Sequence, residues 1–313
     1  MNSSGKKILS IVAPCCNEQE LIAAFLDRIR AVAAGMPTYS FQFFLVNDGS
    51  EDDTAALLNA AADADQRVKV LHLARNFGHQ RAIAAGLDAC DGDIVVVIDS
   101  DLQDPPELIP ELVAALDAGA DVAHAVRHDR SSDSLAKRLT AKLFYQVMRR
   151  FVLPELPEDS GDFKAFTRPV LEALRTYRER MRFMRGMIAT LGFRQVEIPY
   201  TRAPRAAGAT KFSPWQVLRF ARDAIVSNTV LPLRIGVFTG AVALLSACAY
   251  AVALGWKWGR GGIERPLEAL ILLVVLFMGG LALTLLGLIG EYLRCIVVEV
   301  KQRPLYIVAS TRN

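Results

Sequence analysis

The sequence predicts an α/β fold with a mostly parallel sheet, followed by two apolar helices near the C-terminus. Short aliphatic runs alternate with helical patterns at the spacing of β-α-β units, and this alternation favours parallel strands. The run at 94–98 has five aliphatic residues without polar alternation, which is typical of a strand buried on both faces. Residues 235–256 and 269–290 are uncharged, and each stretch is long enough to cross about 30 Å of hydrocarbon.

Polar residues follow each expected strand, and helical patterns separate the strands. The carboxyl ends of parallel strands meet at one edge of a sheet, and ligands of open α/β sheets bind there. We therefore expect the acids, the amides and one arginine that follow the strands to gather along one rim. Strands are expected at 8–14, 41–46, 68–73, 94–98 and 121–126, and helices at 19–34, 53–64, 79–89 and 107–118.

The loop after the strand at 94–98 is the first candidate for a binding site. It contains Asp99, Asp101 and Gln103, and two prolines close the turn. Carboxylate and amide oxygens suit a hard cation such as Mg²⁺ or Mn²⁺, which would in turn bind phosphate oxygens. The alternative is a solvated loop in which one aspartate caps a helix. The polar residues at the other strand ends favour the metal site.

The two uncharged stretches are predicted to be transmembrane helices. The alternative is a helical hairpin buried in a large soluble domain, but soluble helices of this length normally carry a polar stripe. Basic residues flank both stretches, and the positive-inside rule favours cytoplasmic chain ends. The polar start of the chain resembles no signal peptide, so we expect the sheet domain on the cytoplasmic face of the plasma membrane.

A further helix is predicted directly before the first span. Ser213 and Pro214 suit the N-cap and first helical position, and the following residues alternate apolar side chains with arginines. Such a helix can lie in the membrane interface, and a surface helix packed on the sheet domain is the alternative. The expected parts are a sheet domain, an interfacial helix, two spans and a cytoplasmic tail, at 1–212, 213–232, 233–292 and 293–313.

Cysteine usage and charge exclude several classes of protein. The five cysteines show no Cys-x-x-Cys or Cys/His ligand spacing, so neither a zinc site nor a disulfide framework is indicated. The net charge of +3 and the lack of a basic-aromatic pattern give no indication of nucleic-acid binding. No Gly-x-Gly-x-x-Gly follows the first strand, which argues against a dinucleotide oxidoreductase. Two spans without internal charges argue against a transporter.

Seven motifs in order resemble those of the polyisoprenyl-phosphate glycosyltransferases, which are family 2 glycosyltransferases with a GT-A fold. Bactoprenol glucosyltransferases and membrane-anchored dolichyl-phosphate mannose synthases are similar to this chain. The resemblance extends from about Ile8 to Val308, and it implies a Rossmann-like, mostly parallel GT-A sheet before the membrane helices. The motifs are APCCNE, VNDGSEDDT, ARNFGHQRA, DSDLQDPPE, SGDFK, RAPRAAGATKF and GEYLRCIVVEVKQRPLYIV.

The resemblance also implies roles for individual residues on the donor side of the site. Asp99, Asp101 and Gln103 would form the group that binds the metal and the diphosphate, in agreement with their chemistry. Turn capping is the alternative role for two of the remaining residues, Asn17 and Asp48. The residues implied around the nucleotide base and ribose are Pro14, Asn17, Glu18 and Asp48.

The implied acceptor is a lipid phosphate monoester, which is largely a dianion at neutral pH because its second pKa is about 6. Such a nucleophile needs cationic positioning rather than a strong general base. Arg127, with Lys137 or Arg138, is expected to supply it, although these side chains could equally be solvated or contact lipid headgroups. Related enzymes often place a serine one turn after the basic residue, whereas Ala141 follows Lys137 here.

Two further segments are implied near the reaction centre. Asp162 matches the acidic position in SGDFK and is expected to orient the acceptor or the sugar, with proton abstraction as the less favoured role. The alternative for Asp162 is a helix N-cap. In the loop at 201–212, Arg202, Arg205 and Lys211 could close over the donor diphosphate or the lipid phosphate. The alternative is a basic linker.

The predicted reaction is the inverting transfer of one sugar from a nucleotide-sugar donor to polyprenyl phosphate. UDP-glucose and undecaprenyl phosphate are the favoured pair. Mannose, N-acetylglucosamine, galactosamine and modified arabinose remain alternative sugars, and an inactive membrane scaffold with the same fold is the alternative from another class. We expect the lipid bilayer as a partner, together with a homo-oligomer such as a tetramer and a separate flippase for the product.

Overall fold

The structure, a computed structural model, contains one eight-stranded sheet covered by helices on both faces and two long apolar helices. It describes residues 5–127, 160–180, 184–201, 229–260 and 266–313, together with Gln146, Arg182 and Val226. The strands are β1 (Lys7–Cys15), β2 (Tyr39–Asn47), β3 (Val68–Leu73), β4 (Ile94–Val97), β5 (Val122–Arg127), β6 (Ser160–Thr167), β7 (Gln195–Tyr200) and β8 (Val308–Arg312). The helices are α1 (Ile22–Gly35), α2 (Thr54–Ala64), α3 (His79–Ala89), α4 (Ile109–Asp117), α5 (Arg168–Thr176), α6 (Met184–Thr190), α7 (Leu231–Trp258) and α8 (Pro266–Val300).

The sheet is mostly parallel, as predicted, and its strand order is β7-β5-β6-β4-β1-β2-β3-β8. The pairs β4-β1, β1-β2, β2-β3 and β5-β7 are parallel. Two strands run the other way: β6 is antiparallel to both β4 and β5, and β8 is antiparallel to β3. Asp162 lies inside β6, and α5 begins only at Arg168. The helix-capping alternative for Asp162 is therefore wrong.

The sheet separates two apolar cores, which explains why its central strands lack polar alternation. One face packs on α1, α2 and α4, and the other packs on α3, α5 and α6. Within β1, Leu9 and Ile11 point into the first core and Val12 into the second, and all three are fully buried. Helix α4 has no side-chain cap, so neither Asp99 nor Asp101 caps it.

The chain divides into two compact units, residues 1–217 with 303–313 and residues 218–302. The second unit contains α7 and α8, two helices long and apolar enough to cross a membrane. The Tyr292 hydroxyl of α8 donates to the carbonyl oxygen of Thr229, just before α7, at 2.7 Å. Large apolar side chains such as Phe238 and Leu283 are about 70% exposed, so a buried soluble hairpin does not describe these helices.

The chain returns to the sheet unit after the second apolar helix. Helix α8 continues to Val300, and β8 then pairs with β3 at the edge of the sheet. Arg312 binds Asp63 of α2, and the Tyr306 hydroxyl donates to Asp88 of α3. Residues 293–313, expected as a cytoplasmic tail, include the end of α8 and the strand β8. The predicted interfacial helix at 213–232 lies almost entirely outside the described residues.

Candidate functional site

The first part of the predicted rim is formed by the loops after β1 and β2, which hydrogen bonds join together. The Asn17 amide donates to Ser50 Oγ at 3.0 Å, and Asn17 Oδ1 accepts the Glu51 amide at 2.8 Å. The Glu18 amide donates to Thr54 Oγ1 at 2.9 Å. Asn17 has a φ of 51°, which asparagine tolerates better than most residues. These contacts agree with the turn-stabilising alternative for Asn17, and its contact with a nucleotide stays a prediction.

Asp48 connects this rim to the loop that precedes α3. Its side chain is buried, and its two carboxylate oxygens accept the amides of Phe77 at 2.7 Å and Gly78 at 2.9 Å. Gly78 has a φ of 98°, a conformation that glycine adopts at little cost. Asp48 therefore fixes the backbone immediately before His79. This is the stabilising alternative named for Asp48, and its role in nucleotide binding stays a prediction.

Gly49 brings the loop after β2 against the loop after β3, and its replacement by alanine is expected to destabilise the protein. Gly49 has a φ of 63°, and a Cβ there would lie 2.4 Å from the backbone of Arg75 and of Asn76. Gly192 is a matched control, because its φ is 73° but nothing lies within 4 Å of its Cβ position. Gly192→Ala should cost about 1 kcal/mol through backbone conformation alone, and Gly49→Ala at least about 2 kcal/mol more. Thermal unfolding of both variants measures the difference, and equal losses would contradict this explanation.

The loop after β4 places the predicted metal group beside the end of β1. The Ser100 hydroxyl donates to the carbonyl oxygen of Pro14 at 2.9 Å. Asp101 Oδ1 accepts the Gln103 amide at 3.1 Å, and Leu102 between them has a φ of 58°. Asp101 and Gln103 thus lie in one tight turn, directly after Asp99 and next to Pro14. The structure brings these predicted residues together at the carboxyl end of the parallel strands.

A cluster of charged side chains lies beside this loop, with Asp162 at its centre. His79 Nε2 is 3.2 Å from Asp162 Oδ2 and 3.4 Å from Asp99 Oδ1. Gln80 Nε2 donates to Asp162 Oδ2 at 2.9 Å. Arg185 Nε donates to Asp162 Oδ1 at 3.1 Å, and its Nη2 lies 3.4 Å from Oδ2. The aspartate at the implied reaction centre is therefore joined to the metal loop through one imidazole.

Burial and charge shift the pKa values in this cluster in different directions. Burial raises the pKa of Asp99 to about 6, although His79 opposes this shift. Burial alone would also raise the pKa of Asp162, but Arg185, His79 and Lys164 hold it well below its usual range. For His79, the effect of burial is outweighed by Asp99 and Asp162, which raise its pKa to about 9. Asp162 is thus held as a carboxylate.

Lys164 lies two residues beyond Asp162 on the same face of β6. Its side chain is 1% exposed, and its Nζ has no hydrogen-bond partner among the described residues. Burial lowers the pKa of Lys164 to about 8, even though Asp162 attracts its charge. The cluster therefore contains a buried lysine whose charge is only partly compensated.

Arg127 occupies the neighbouring end of β5. It is opposite Tyr200 of β7 in the register of the sheet, and the Tyr200 hydroxyl donates to Asp104. A Cβ on Gly161 would lie 3.8 Å from Arg127 Nη2, so the arginine is close to β6 as well. Burial and Asp104 raise the pKa of Tyr200 above its usual value. Arg127 thus lies at the same edge of the sheet as the metal loop and Asp162.

Several functional candidates lie outside the sequence predictions or outside the described residues. His79, Gln80, Lys164, Asp104 and Arg185 were not predicted as site residues. Membership in a motif could have pointed to four of them: His79 and Gln80 are in ARNFGHQRA, Lys164 is in SGDFK and Asp104 is in DSDLQDPPE. Arg185 is in none of the motifs. The predicted phosphate-binding residues that lie outside the described part of the chain are Lys137, Arg138, Arg202, Arg205 and Lys211.

The residues after β4 fit a divalent cation that arrives with a diphosphate. Within the part of the chain that the structure describes, no group of three or more His, Cys, Asp or Glu side chains is arranged to hold a metal ion. Mg²⁺ at nucleotide sites is commonly held by one or two carboxylates together with substrate phosphates, so three protein acids are not required. Asp99 Oδ1 is buried without a hydrogen-bond partner among the described residues, and the one cationic group beside it is the His79 imidazole at 3.4 Å.

Comparisons with known proteins identify the family of the chain. A family model described as "Glycosyl transferase family 2" matches residues 10–175. The chain is 38% identical to the SfII prophage-derived bactoprenol glucosyl transferase of Shigella flexneri over 309 residues, which are 97% of this chain and 98% of the relative. It is 39% identical to an uncharacterized glycosyltransferase of Synechocystis over 302 residues, 96% of this chain and 95% of the relative. A solved mannosyltransferase from Pyrobaculum calidifontis in complex with GDP-Man and Mn²⁺ is 17% identical, with a TM-score of 0.46 over 92% of this chain and 87% of that one.

Proposed function

The chain belongs to glycosyl transferase family 2, and from this premise we propose that it transfers one sugar from a nucleotide-sugar donor to polyprenyl phosphate. The chain is a transferase. The observation that carries the proposal is the similarity, over nearly the whole of both chains, to a protein named bactoprenol glucosyl transferase. Glucose from UDP-glucose and undecaprenyl phosphate are the first donor and acceptor to test.

On the donor side, Asp99, Asp101 and Gln103 would hold Mg²⁺ or Mn²⁺ beside the diphosphate. When bound, the ion neutralises the charge that develops on the departing nucleotide. The loops around Pro14, Asn17, Glu18 and Asp48 would bind the base and ribose. Support comes from the hydrogen bonds that join these loops into one rim next to Asp99.

On the acceptor side, a phosphate oxygen would attack the anomeric carbon while the bond from that carbon to the donor phosphate oxygen breaks. Attack from the opposite side inverts the anomeric centre, so an α-linked donor gives a β-linked product. Arg127 would orient the acceptor phosphate, and the low pKa and burial of Asp162 support orientation rather than proton abstraction. The further basic residues proposed to bind the lipid or donor phosphate are Lys137, Arg138, Arg202, Arg205 and Lys211.

We propose that the reaction takes place at the cytoplasmic face of the plasma membrane, with α7 and α8 as two spans and an interfacial helix before them. The chain leaves the sheet unit before residue 218 and returns to it at 303, which supports an even number of crossings. The proposed boundaries are 1–212, 213–232, 233–292 and 293–313. A homo-oligomer such as a tetramer, and a separate flippase for the product, complete the proposal.

The test is transfer of labelled sugar into an organic-extractable lipid by the full-length protein in detergent or vesicles. Undecaprenyl phosphate, Mg²⁺ or Mn²⁺ and a panel of labelled nucleotide sugars are supplied, and a chelator serves as the metal-removal control. We expect label from one donor, UDP-glucose first, to enter lipid only in the presence of metal. Transfer from another donor would change the proposed sugar. Folded protein that transfers from none of them would contradict the proposed reaction.

A further inference from the structure

We propose that Arg185 binds a phosphate oxygen of a substrate, and that Asp162 lies beneath it as the anchor that sets its orientation. This inference rests on the proposed sugar transfer and adds to it a phosphate contact on α6. The phosphate could belong to the donor diphosphate or to the acceptor monoester, which offer the same chemistry to a guanidinium.

The exposure of the two side chains indicates which of them meets a ligand. The Asp162 side chain is 6% exposed, whereas 27% of the Arg185 side chain is exposed. Both Asp162 oxygens already accept hydrogen bonds, from Arg185 and from Gln80, and His79 lies against one of them. An approaching substrate therefore reaches the guanidinium before the carboxylate. Asp162 is a positioning residue in this arrangement.

Two helices hold the guanidinium in place. Gln80 of α3 donates to Asp162 through Nε2, and its Oε1 accepts the amide of Met184 at 3.1 Å. Met184 begins the helix that carries Arg185, so one glutamine connects the anchor to the backbone beside the arginine. Preorganised donors of this kind bind an anion without a large loss of side-chain entropy.

The position of Arg185 relative to the metal loop suits a phosphate. His79 Nε2 lies within 3.4 Å of both Asp99 and Asp162, so a single imidazole separates the anchor of Arg185 from the carboxylate proposed to hold the metal. A diphosphate bound at Asp99, or a monoester attacking next to it, would lie in the neighbourhood of the guanidinium. Guanidinium groups match phosphate oxygens in both charge and hydrogen-bond geometry.

The charges around Asp162 also favour an anion. Three basic side chains, His79, Lys164 and Arg185, contribute to the low pKa of this one carboxylate. Lys164 Nζ is buried without a hydrogen-bond partner among the described residues, although Asp162 and Asp99 attract its charge. A bound phosphate oxygen would give this ammonium group a partner of opposite charge.

The experiment compares Arg185→Ala and Arg185→Lys with a matched arginine–aspartate pair far from the site. Arg67 binds Asp65 with 2.9 Å contacts at the amino end of β3, the opposite edge of the sheet, and Arg67→Ala is the control. For each full-length variant, we measure the dissociation constant of UDP with Mn²⁺ by calorimetry, and kcat and KM for UDP-glucose and for undecaprenyl phosphate.

We expect Arg185→Ala to raise either the dissociation constant of UDP or one of the two KM values by about 10- to 100-fold, which is the loss typical of one charge-assisted hydrogen bond. Arg67→Ala should leave the dissociation constant, kcat and both KM values unchanged. Weaker binding of UDP would identify the donor diphosphate as the group that Arg185 binds. A higher KM for undecaprenyl phosphate with normal UDP binding would identify the acceptor phosphate instead. Arg185→Lys keeps the charge and the pairing with Asp162 but loses the planar fork, so a partial loss in the same constant is expected.

The anchor role of Asp162 is tested with Asp162→Asn and the Asp162→Asn/Arg185→Ala double variant. If Asp162 acts through Arg185, the same constant rises in Asp162→Asn, and the effects in the double variant are not additive. Unchanged UDP binding and unchanged KM values in folded Arg185→Ala or Arg185→Lys, with a normally active wild type, would overturn the inference and leave the proposed reaction standing. A wild type that transfers no sugar would instead overturn the proposed reaction, and the inference with it.

Discussion

Asp101→Asn is expected to lower the rate of sugar transfer by at least about a hundredfold, because it removes a charge that we propose holds the cation beside the departing diphosphate. Asparagine retains the Oδ1 atom that accepts the Gln103 amide at 3.1 Å, so the turn after β4 should survive. The loss should therefore come from the carboxylate charge rather than from a change in the loop. Glu111→Gln, an exposed acid on α4, is the control and should retain full activity.

The measurement is the initial rate of lipid labelling as a function of Mn²⁺ concentration, for wild type and both variants. A metal ligand predicts that Asp101→Asn needs more Mn²⁺ to reach a lower maximum, with little change in melting temperature. If the variant shows the wild-type rate and the wild-type Mn²⁺ dependence, Asp101 is not a ligand, and the assignment of the metal group to this loop fails with it.

Local patterns were sufficient to predict the rim of the sheet. The aliphatic run of β4 ends just before the acids Asp99 and Asp101. Such a run must be buried on both faces, so it is predicted to be a central strand even when its neighbouring strands are unknown. The same reasoning placed the polar residues after β1 and β2 at the same edge. These positions depend only on strand direction, which the β-α-β spacing determines.

Pairings between distant residues could not be predicted in this way. The direction of β6 depends on where the chain re-enters the sheet after residue 159, and nothing in SGDFK specifies an antiparallel partner. The contacts of Asp162 come from α3, more than 80 residues earlier, and from Arg185, 23 residues later. The strand β8 pairs with β3 across more than 230 residues, although its sequence is mostly small and polar. Its pairing is dictated by the open edge of β3 rather than by its own composition.

Opposite effects on stability are expected from the two neighbouring charges on β6. Asp162→Asn leaves His79, Arg185 and Lys164 without their shared carboxylate, and the loss of one partner from a buried ion pair costs about 3–5 kcal/mol. Its melting temperature should fall by roughly 10 °C. The buried ammonium group of Lys164 has no hydrogen-bond partner among the described residues. Lys164→Met replaces it with an apolar side chain of similar length. It should raise the melting temperature by a few degrees.

The pH dependence separates charge from packing in the Lys164→Met variant. Burial lowers the pKa of Lys164 from 10.5 in the unfolded chain to about 8 in the folded protein, so the folded state disfavours the charged lysine. This cost is fully present below about pH 8 and decreases as the pH rises toward 10.5, because the folded protein releases the proton first. The stabilisation by Lys164→Met should therefore be largest below about pH 8 and shrink across that interval. A stabilisation that stays constant from pH 7 to pH 10 would mean that better packing, rather than removal of the buried charge, is its cause.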